Sequence, residues 1–249
     1  MDYALSHGAD CIATGHYAQI SFHANKYHLL KGTDAGKDQS YFLYLLSQNQ
    51  LKHSLFPVGS LSKTQVREIA AKHGLHNYNK RDSTGICFIG ERKFKQFLNE
   101  YLLAKPGKIV TTDNQIIGQH DGLMFYTLGQ RKGLGIGGKK NAAEKPWYVV
   151  KKDMGNNLLV IDQNHDHPLL LTRNLVCKLA HWIGEAAPAL PYTCTARIRY
   201  RQKDEKCTII KMEADKYYVE FDHPQRAVTP GQAVVFYQKN ECLGGGTIC

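Results

Sequence analysis

Five short runs in the last third of the chain, alternating apolar with polar residues, leave few folds open. They are Cys194–Arg201, Lys206–Met212, Tyr217–Phe221, Ala233–Tyr237 and Cys242–Thr247, separated by turn clusters such as Asp204-Glu205 and Pro230-Gly231. Short strands at this spacing with turn residues between them predict an antiparallel sheet that closes into a small barrel. By the two-residue period of a strand, Arg197, Arg199 and Arg201 fall on one face. That row reads either as an RNA-facing strip or as a solvated sheet face.

The beginning of the chain has a different grammar. Residues 2–8 read as the end of an amphipathic helix closing at Gly8, and Cys11–Ala18 as a short strand ending in Thr14, Gly15 and His16. Helix, strand, then a glycine loop at the strand's C-terminal end is the pattern of a doubly wound α/β sheet, where ligands gather. Gly15 would let a nucleotide approach the backbone, and His16 stands either at that crevice or as a surface cap. No G-x-G-x-x-G and no G-x-x-x-x-G-K-[ST] precedes this unit, so it reads as the C-terminal remnant of a Rossmann-like domain.

Tyr27–Lys31 predicts a second strand, followed by a polar loop that carries Lys37, Asp38 and Gln39. Ser40–Ser47 then reads as a compact aromatic helix capped by Asp38, its rings assigned to the core. Ser62 and Gln65 form a capping box for a helix over Lys63–His73, with Gly74 as its stop. Arg81–Gly90 places Cys87 among small polar residues at a loop-to-helix junction. Such a site lowers a thiol's pKa through the helix N-terminus and nearby cations such as Arg81, Arg92 and Lys93. A half-buried free cysteine beside a helix cap fits the same residues.

After a helix over about Arg92–Leu103 and the break at Lys105-Pro106-Gly107, hairpins follow. Lys108–Val110 pairs with Gln115–Gly118, and Trp147–Lys151 with Asn157–Asp162. Between them, Gln130, Arg131 and Lys132 lie in a glycine-rich stretch that reads as a phosphate-holding loop or a mobile basic one. The expected class is therefore α/β plus β in three parts. Residues 1–103 form the α/β part, with about 57–76 as the helical start of the middle domain. Residues 104–167 form a small mixed, β-rich central domain, and 168–249 an antiparallel β-barrel.

Charge points to the partner. The net charge of +10 is spread evenly: 12 basic against 8 acidic residues over 1–100, 9 against 6 over 101–167, and 11 against 8 over 168–249. A distributed positive field suits a large polyanion lying across several domains, as a structured RNA would, although an ordinary basic protein has it too. Seven cysteines without a C-x-x-C pair argue against a zinc ribbon or a disulfide framework and for a reducing, cytoplasmic setting. No apolar run has membrane-spanning length, and the start has no basic, then apolar, leader pattern.

Five stretches together resemble one family: A-T-G-H-Y (13–17), K-D-Q-S-Y-F-L (37–43), S-T-G-I-C-F-I-G (83–90), F-Y-T-L-G-Q-R-K-G-L (125–134) and R-I-R-Y (197–200). In this order they resemble the tRNA-specific 2-thiouridylases, the MnmA/TrmU family. The resemblance implies an adenine-nucleotide (PP-loop) domain, and an enzyme that replaces the C2 oxygen of the wobble uridine with sulfur. ATP, with Mg as its counter-ion and no structural metal, adenylates that oxygen; a cysteine persulfide then delivers sulfur as AMP leaves.

By motif, the resemblance makes Cys87 the persulfide carrier and Gly15 an ATP contact. It makes His16, Lys37, Asp38, Gln39, Arg199, Tyr200 and Gln232 tRNA contacts. The implied partners are tRNA and a sulfur-donor relay protein or cysteine desulfurase, with no membrane. The family's S-G-G-x-D-S loop and its D-x-x-x-P-C segment, source of a second cysteine, have no match in the sequence. A truncated form, inactive alone, is therefore expected. A non-catalytic tRNA-binding fragment and a persulfide-carrying sulfur-relay protein are the alternatives.

Overall fold

The computed structural model of the chain describes residues 1–80, 100–136 and 145–249. Cys87 and the helix expected after it, up to residue 99, lie outside the described residues. Two compact units result. One joins Met1–Lys80 to Arg173–His223 and Pro230–Cys249; the other comprises the described part of Arg81–Thr172 with Pro224–Thr229.

In chain order the first elements are α1 (Asp2–Ser6), β1 (Ile12–Ala13), β2 (Ala18–His23), β3 (Lys26–Lys31), α2 (Gln48–Lys52), β4 (Ser54–Leu55) and α3 (Lys63–Lys72). β1 runs parallel to β4, with Ile12 opposite Ser54 and Ala13 opposite Leu55. The strand expected over Cys11–Ala18 is thus two residues long. Its ladder ends as Thr14 N–H donates to the Leu55 carbonyl at 3.0 Å, after which the chain turns at Gly15 and His16. β2 and β3 form a hairpin whose central residues, Ala24 and Asn25, both have positive φ, the requirement of a tight turn that matches strand twist.

Both bonds of the Ser62–Gln65 capping box are present at the start of α3. The helix expected over Ser40–Ser47 is instead one 3₁₀ turn, Ser40–Phe42. Ser47 explains the difference: it is extended (φ −80°, ψ 167°) and caps α2 through a second capping box with Gln50, so no helix continues through it.

The second unit holds β5 (Gly107–Thr111), β6 (Ile116–His120), β7 (Tyr148–Asp153) and β8 (Leu158–Asp162), in the order β6-β5-β8-β7. Both expected hairpins form, and a parallel β5–β8 pairing joins them. Ile109, Val149, Leu159 and Ile161 are fully buried against Leu123, Phe125, Tyr126 and Leu134. Burial of such side chains, each contributing about 1.5–3 kcal/mol, is what holds this small sheet together.

The remaining strands are β9 (Leu171–Trp182), β10 (Tyr192–Arg197), β11 (Glu205–Glu213), β12 (Lys216–Arg226), β13 (Ala233–Gln238) and β14 (Glu241–Ile248). They run in the order β13-β10-β11-β12-β9-β14, and pairing of β13 with β14 closes the barrel. Its interior is filled by residues such as Ile209, Val219, Phe221, Val234 and Phe236, and Trp182 stacks on Phe236 at 5.6 Å. Gly244 lets β14 lie close against β9. It sits at φ +138°, and a Cβ there would lie 2.0 Å from the His181 carbonyl oxygen on β9.

The twelve-residue β9 is missing from the sequence reading, and so is a second feature. The β2–β3 hairpin adds to the barrel sheet: Leu30 and Leu29 of β3 pair with Glu241 and Cys242 of β14, and the rest of β14 pairs with β9. The first hairpin and the barrel are therefore one sheet, whereas β1 and β4 form a separate two-stranded one.

Candidate functional site

The 3₁₀ turn at Ser40–Phe42 is where segments far apart in sequence meet. On one side, the buried Asp38 carboxylate accepts from Gly32 N–H (3.1 Å), Ser40 N–H (3.1 Å), Ser40 Oγ (3.0 Å) and Arg197 Nη1 (2.6 Å). Arg197 Nε continues to Asp204 Oδ1 at 2.6 Å, and Lys31 Nζ bonds the other oxygen of Asp204. Lys31 and Arg197 also lie over the ring of Tyr237, 4.4 and 4.8 Å from its centroid. Burial, then the neighbouring Cys242, pushes the Tyr237 phenol well above its ordinary range, so it stays neutral and bonds Ser40 Oγ.

On the other side, Tyr41 O–H donates to the Ala233 carbonyl at 2.9 Å, next to Gln232. Phe42 packs against Tyr200, the ring centroids 4.6 Å apart. Burial and then Tyr44 push the Tyr41 phenol up to about 12, against the opposing pull of the Arg199 cation. One turn thus carries Lys37–Gln39 at its entrance and touches both the Arg199–Tyr200 turn and the start of β13.

Gly15 and His16 attach through the next residue. Tyr17 N–H donates to Gln39 Oε1 at 3.0 Å, and Gln39 N–H returns to the Tyr17 carbonyl at 2.9 Å. His16 Nδ1 lies 2.8 Å from Thr14 Oγ1, its ring edge-on to Phe56. Burial lowers the His16 pKa, favouring the neutral ring at neutral pH. Gly15 is exposed at the C-terminal end of the parallel β1–β4 pair, and a Cβ there would touch nothing within 4 Å. That open backbone leaves room for a close approach at the end of the strand pair.

Gly15, His16, Lys37, Asp38, Gln39, Arg199, Tyr200 and Gln232 therefore belong to one unit. Two readings change. Asp38 is 3% exposed and its oxygens already accept four bonds, which leaves no lone pair for an external donor; it positions its neighbours instead. The row Arg197, Arg199, Arg201 does not exist. β10 stops at Arg197, Ile198 N–H closes a turn onto Gln202 Oε1, and Arg201 has φ +64°. Arg197 points into the ionic cluster, whereas Arg199 and Arg201 are exposed in the turn.

In the second unit Gln130 shapes its own loop, accepting from Thr127 N–H and donating to the Lys132 carbonyl, while Arg131 and Lys132 are exposed. The sequence reading missed Phe42, which it assigned to the core. It also missed Lys31 and Asp204, whose pairing spans 173 residues. Among the described residues no group of three or more His, Cys, Asp or Glu could hold a metal ion, and no helix is long and apolar enough to cross a membrane.

A parallel strand pair ending in an open glycine loop, followed by a hairpin that adds to a closed β-barrel, is the framework of an α/β layer joined to a barrel domain. Comparison with known proteins gives the same parts in the same order. The chain matches the tRNA methyl transferase HUP domain over residues 1–91, the tRNA methyl transferase PRC-barrel domain over 95–163, and the aminomethyltransferase beta-barrel domain over 172–248. Over 248 residues, all of this chain, it is 56% identical to the tRNA-specific 2-thiouridylase MnmA of Coxiella burnetii strain RSA 493, covering 68% of that relative. It is 56% identical to the enzyme of that name from Nitrosococcus oceani and 52% to that from Legionella pneumophila strain Lens, covering 68% and 69% of them. The chain belongs to the tRNA-specific 2-thiouridylase family, MnmA/TrmU, whose members are tRNA-modifying transferases.

Proposed function

We propose that the chain seats the anticodon arm of a tRNA on the Ser40–Phe42 turn and takes part in 2-thiolation of the wobble uridine. The observation that carries this reading is the convergence of Lys37, Arg199–Tyr200 and Gln232 on that turn, with His16 tied to it through Tyr17 and Gln39. Basic side chains there neutralise phosphates, and aromatic and amide side chains are suited to unpaired bases.

The chemistry assigned to the site follows from the family. ATP transfers its adenylyl group to the C2 oxygen and pyrophosphate leaves, with Gly15 offering open backbone to the nucleotide and Mg as its counter-ion. The terminal sulfur of a Cys87 persulfide attacks C2, the C–O bond breaks and AMP leaves. A second thiol, the cysteine of the D-x-x-x-P-C segment that these 249 residues do not contain, then cleaves the S–S bond. This releases the thiolated base and leaves a disulfide with Cys87. Cytoplasmic tRNA is the substrate, and a sulfur-relay protein or cysteine desulfurase supplies the sulfur. Neither an S-G-G-x-D-S nor a D-x-x-x-P-C stretch occurs in these 249 residues, so placing the RNA and carrying the sulfur on Cys87 are the steps assigned to them, with neither adenylation nor release of the sulfur by this chain alone.

The test is tRNA thiolation with ATP and a sulfur donor, read as retardation on a mercury-containing gel, for the parent and Cys87→Ser. Thiolation that appears only when the N-terminal portion of a relative is added, and only with Cys87, is the expected result. Thiolation equal in the parent and Cys87→Ser would overturn the sulfur-carrying role. Thiolation by the parent alone would overturn the division of steps.

A further inference from the structure

We propose that Phe42 and Tyr200 form a stacking platform for one unpaired nucleobase of the RNA. This rests on the tRNA-binding reading above and adds Phe42 to it. Phe42 follows the buried Tyr41, yet it is 54% exposed, and Leu45 beside it is 57% exposed. A single exposed apolar residue needs no explanation. Phe42 has more around it: its ring meets Tyr200 at 4.6 Å and 44°, while Tyr41, edge-on at 5.5 Å, supports it from the core side.

The surroundings supply the complementary charge. The Arg201 guanidinium lies 5.3 Å from the centre of the Tyr200 ring. Arg201 and Lys203 also line a cleft of about 330 Å³ in which Arg197 is already held by Asp38 and Asp204, and exposed Arg199 adjoins Tyr200 in sequence. Aromatic faces beside Arg and Lys are what single-stranded RNA sites are made of: the base stacks and the cations hold its phosphates. Phe42 has no hydrogen-bonding atom, so it accepts any base. Its contribution is affinity for unpaired loops, and base identity is read by other residues.

The experiment measures binding by the full chain of an anticodon-arm hairpin with an unpaired loop and of a fully paired RNA duplex, over a range of salt. Phe42→Ala, Phe42→Trp and Arg199→Ala are compared with the parent. Phe42→Ala should weaken hairpin binding about 5- to 150-fold, the range for losing one stacked base, with the salt slope and the duplex affinity unchanged. Phe42→Trp should keep the parent affinity and gain indole emission that the hairpin quenches. Arg199→Ala should lower both affinity and salt slope.

Parent-like hairpin binding by Phe42→Ala, with Arg199→Ala weakened, would overturn the platform and leave the tRNA-binding reading standing. So would unquenched emission from a Phe42→Trp protein that binds the hairpin. No binding of either RNA by the parent would overturn the reading itself. Apolar protein partners on this ledge would show as hairpin-independent quenching, which also overturns the proposal.

Discussion

Arg197 Nη1 donates to Asp38 Oδ2 at 2.6 Å across 159 residues of sequence, with the two side chains only 11% and 1% exposed. This pair fixes the Lys37–Gln39 loop to the end of β10. Both members have further bonds, to Gly32, Ser40 and Asp204, so neither charge is left uncompensated.

Breaking that pair from one side should be costly. Arg197→Met leaves the Asp38 carboxylate buried without its cation, and losses of about 3–5 kcal/mol are usual for such half-removed pairs. Urea unfolding of Arg197→Met, Asp38→Asn and the double variant measures it. The double variant should recover much of the loss, because it removes both charges together. Full additivity of the two losses would show that the pair is not coupled.

His16 should make stability depend on pH in a definite direction. Its folded pKa lies below the ordinary 6.5 because burial disfavours the charged ring, so the unfolded chain binds the proton more readily. The stabilisation is fully present above about pH 6.5 and is lost as pH falls through and below it. Unfolding midpoints between about pH 5 and 7.5 should fall more steeply toward acid in the parent than in His16→Gln. Equal slopes would place the ring in solvent.

Thiol labelling should separate the cysteines. Cys177, Cys194, Cys207 and Cys242 are buried, whereas Cys11 and Cys249 are exposed. Burial, first among the causes, pushes Cys177 and Cys242 up to about 12, so both remain unreactive thiols at neutral pH. Site-resolved mass spectrometry after brief alkylation of the native chain should find Cys11 and Cys249 modified and the four barrel cysteines protected. Early modification of Cys242 would mean that β14 opens.

Gly244→Ala should loosen the barrel seam. The added methyl would meet the His181 carbonyl oxygen at 2.0 Å, and the backbone at φ +138° disfavours any side chain. A loss of about 1–3 kcal/mol or more is expected from such overpacking, read by denaturant unfolding. An unchanged midpoint would mean that β9 and β14 separate there at little cost.

Local signals in the sequence translated well into structure, and long-range ones did not. The Ser62–Gln65 capping box and the two hairpins, β5 with β6 and β7 with β8, are each set by residues within a few positions of one another. β9 escaped because its buried and exposed residues do not alternate; Leu179, at φ +53°, interrupts the pleat, and its register with β14 shifts between Gly245 and Thr247. The arginine row failed for the opposite reason. A two-residue period was extended past Arg197, into a turn that only Gln202 and the φ of Arg201 reveal.

The site was half legible in the same sense. Motifs marked Lys37–Gln39, Arg199–Tyr200 and Gln232, but nothing local says that Asp38 faces inward. Its burial depends on Arg197, and Phe42 gains its exposure from the Ser47 cap that ends the aromatic run. The first is tertiary packing overriding local pattern; the second is a local cap that the aromatic run conceals.

The shared strand β14 has a consequence for synthesis. Leu29 and Leu30 take their places beside Cys242 and Glu241, so the open edge of the first hairpin meets its partner only after about 200 further residues have emerged. At ordinary translation rates of about 5–20 residues per second, that edge waits roughly 10–40 s. During that interval it is an unpaired strand edge, open to pairing with a wrong neighbour.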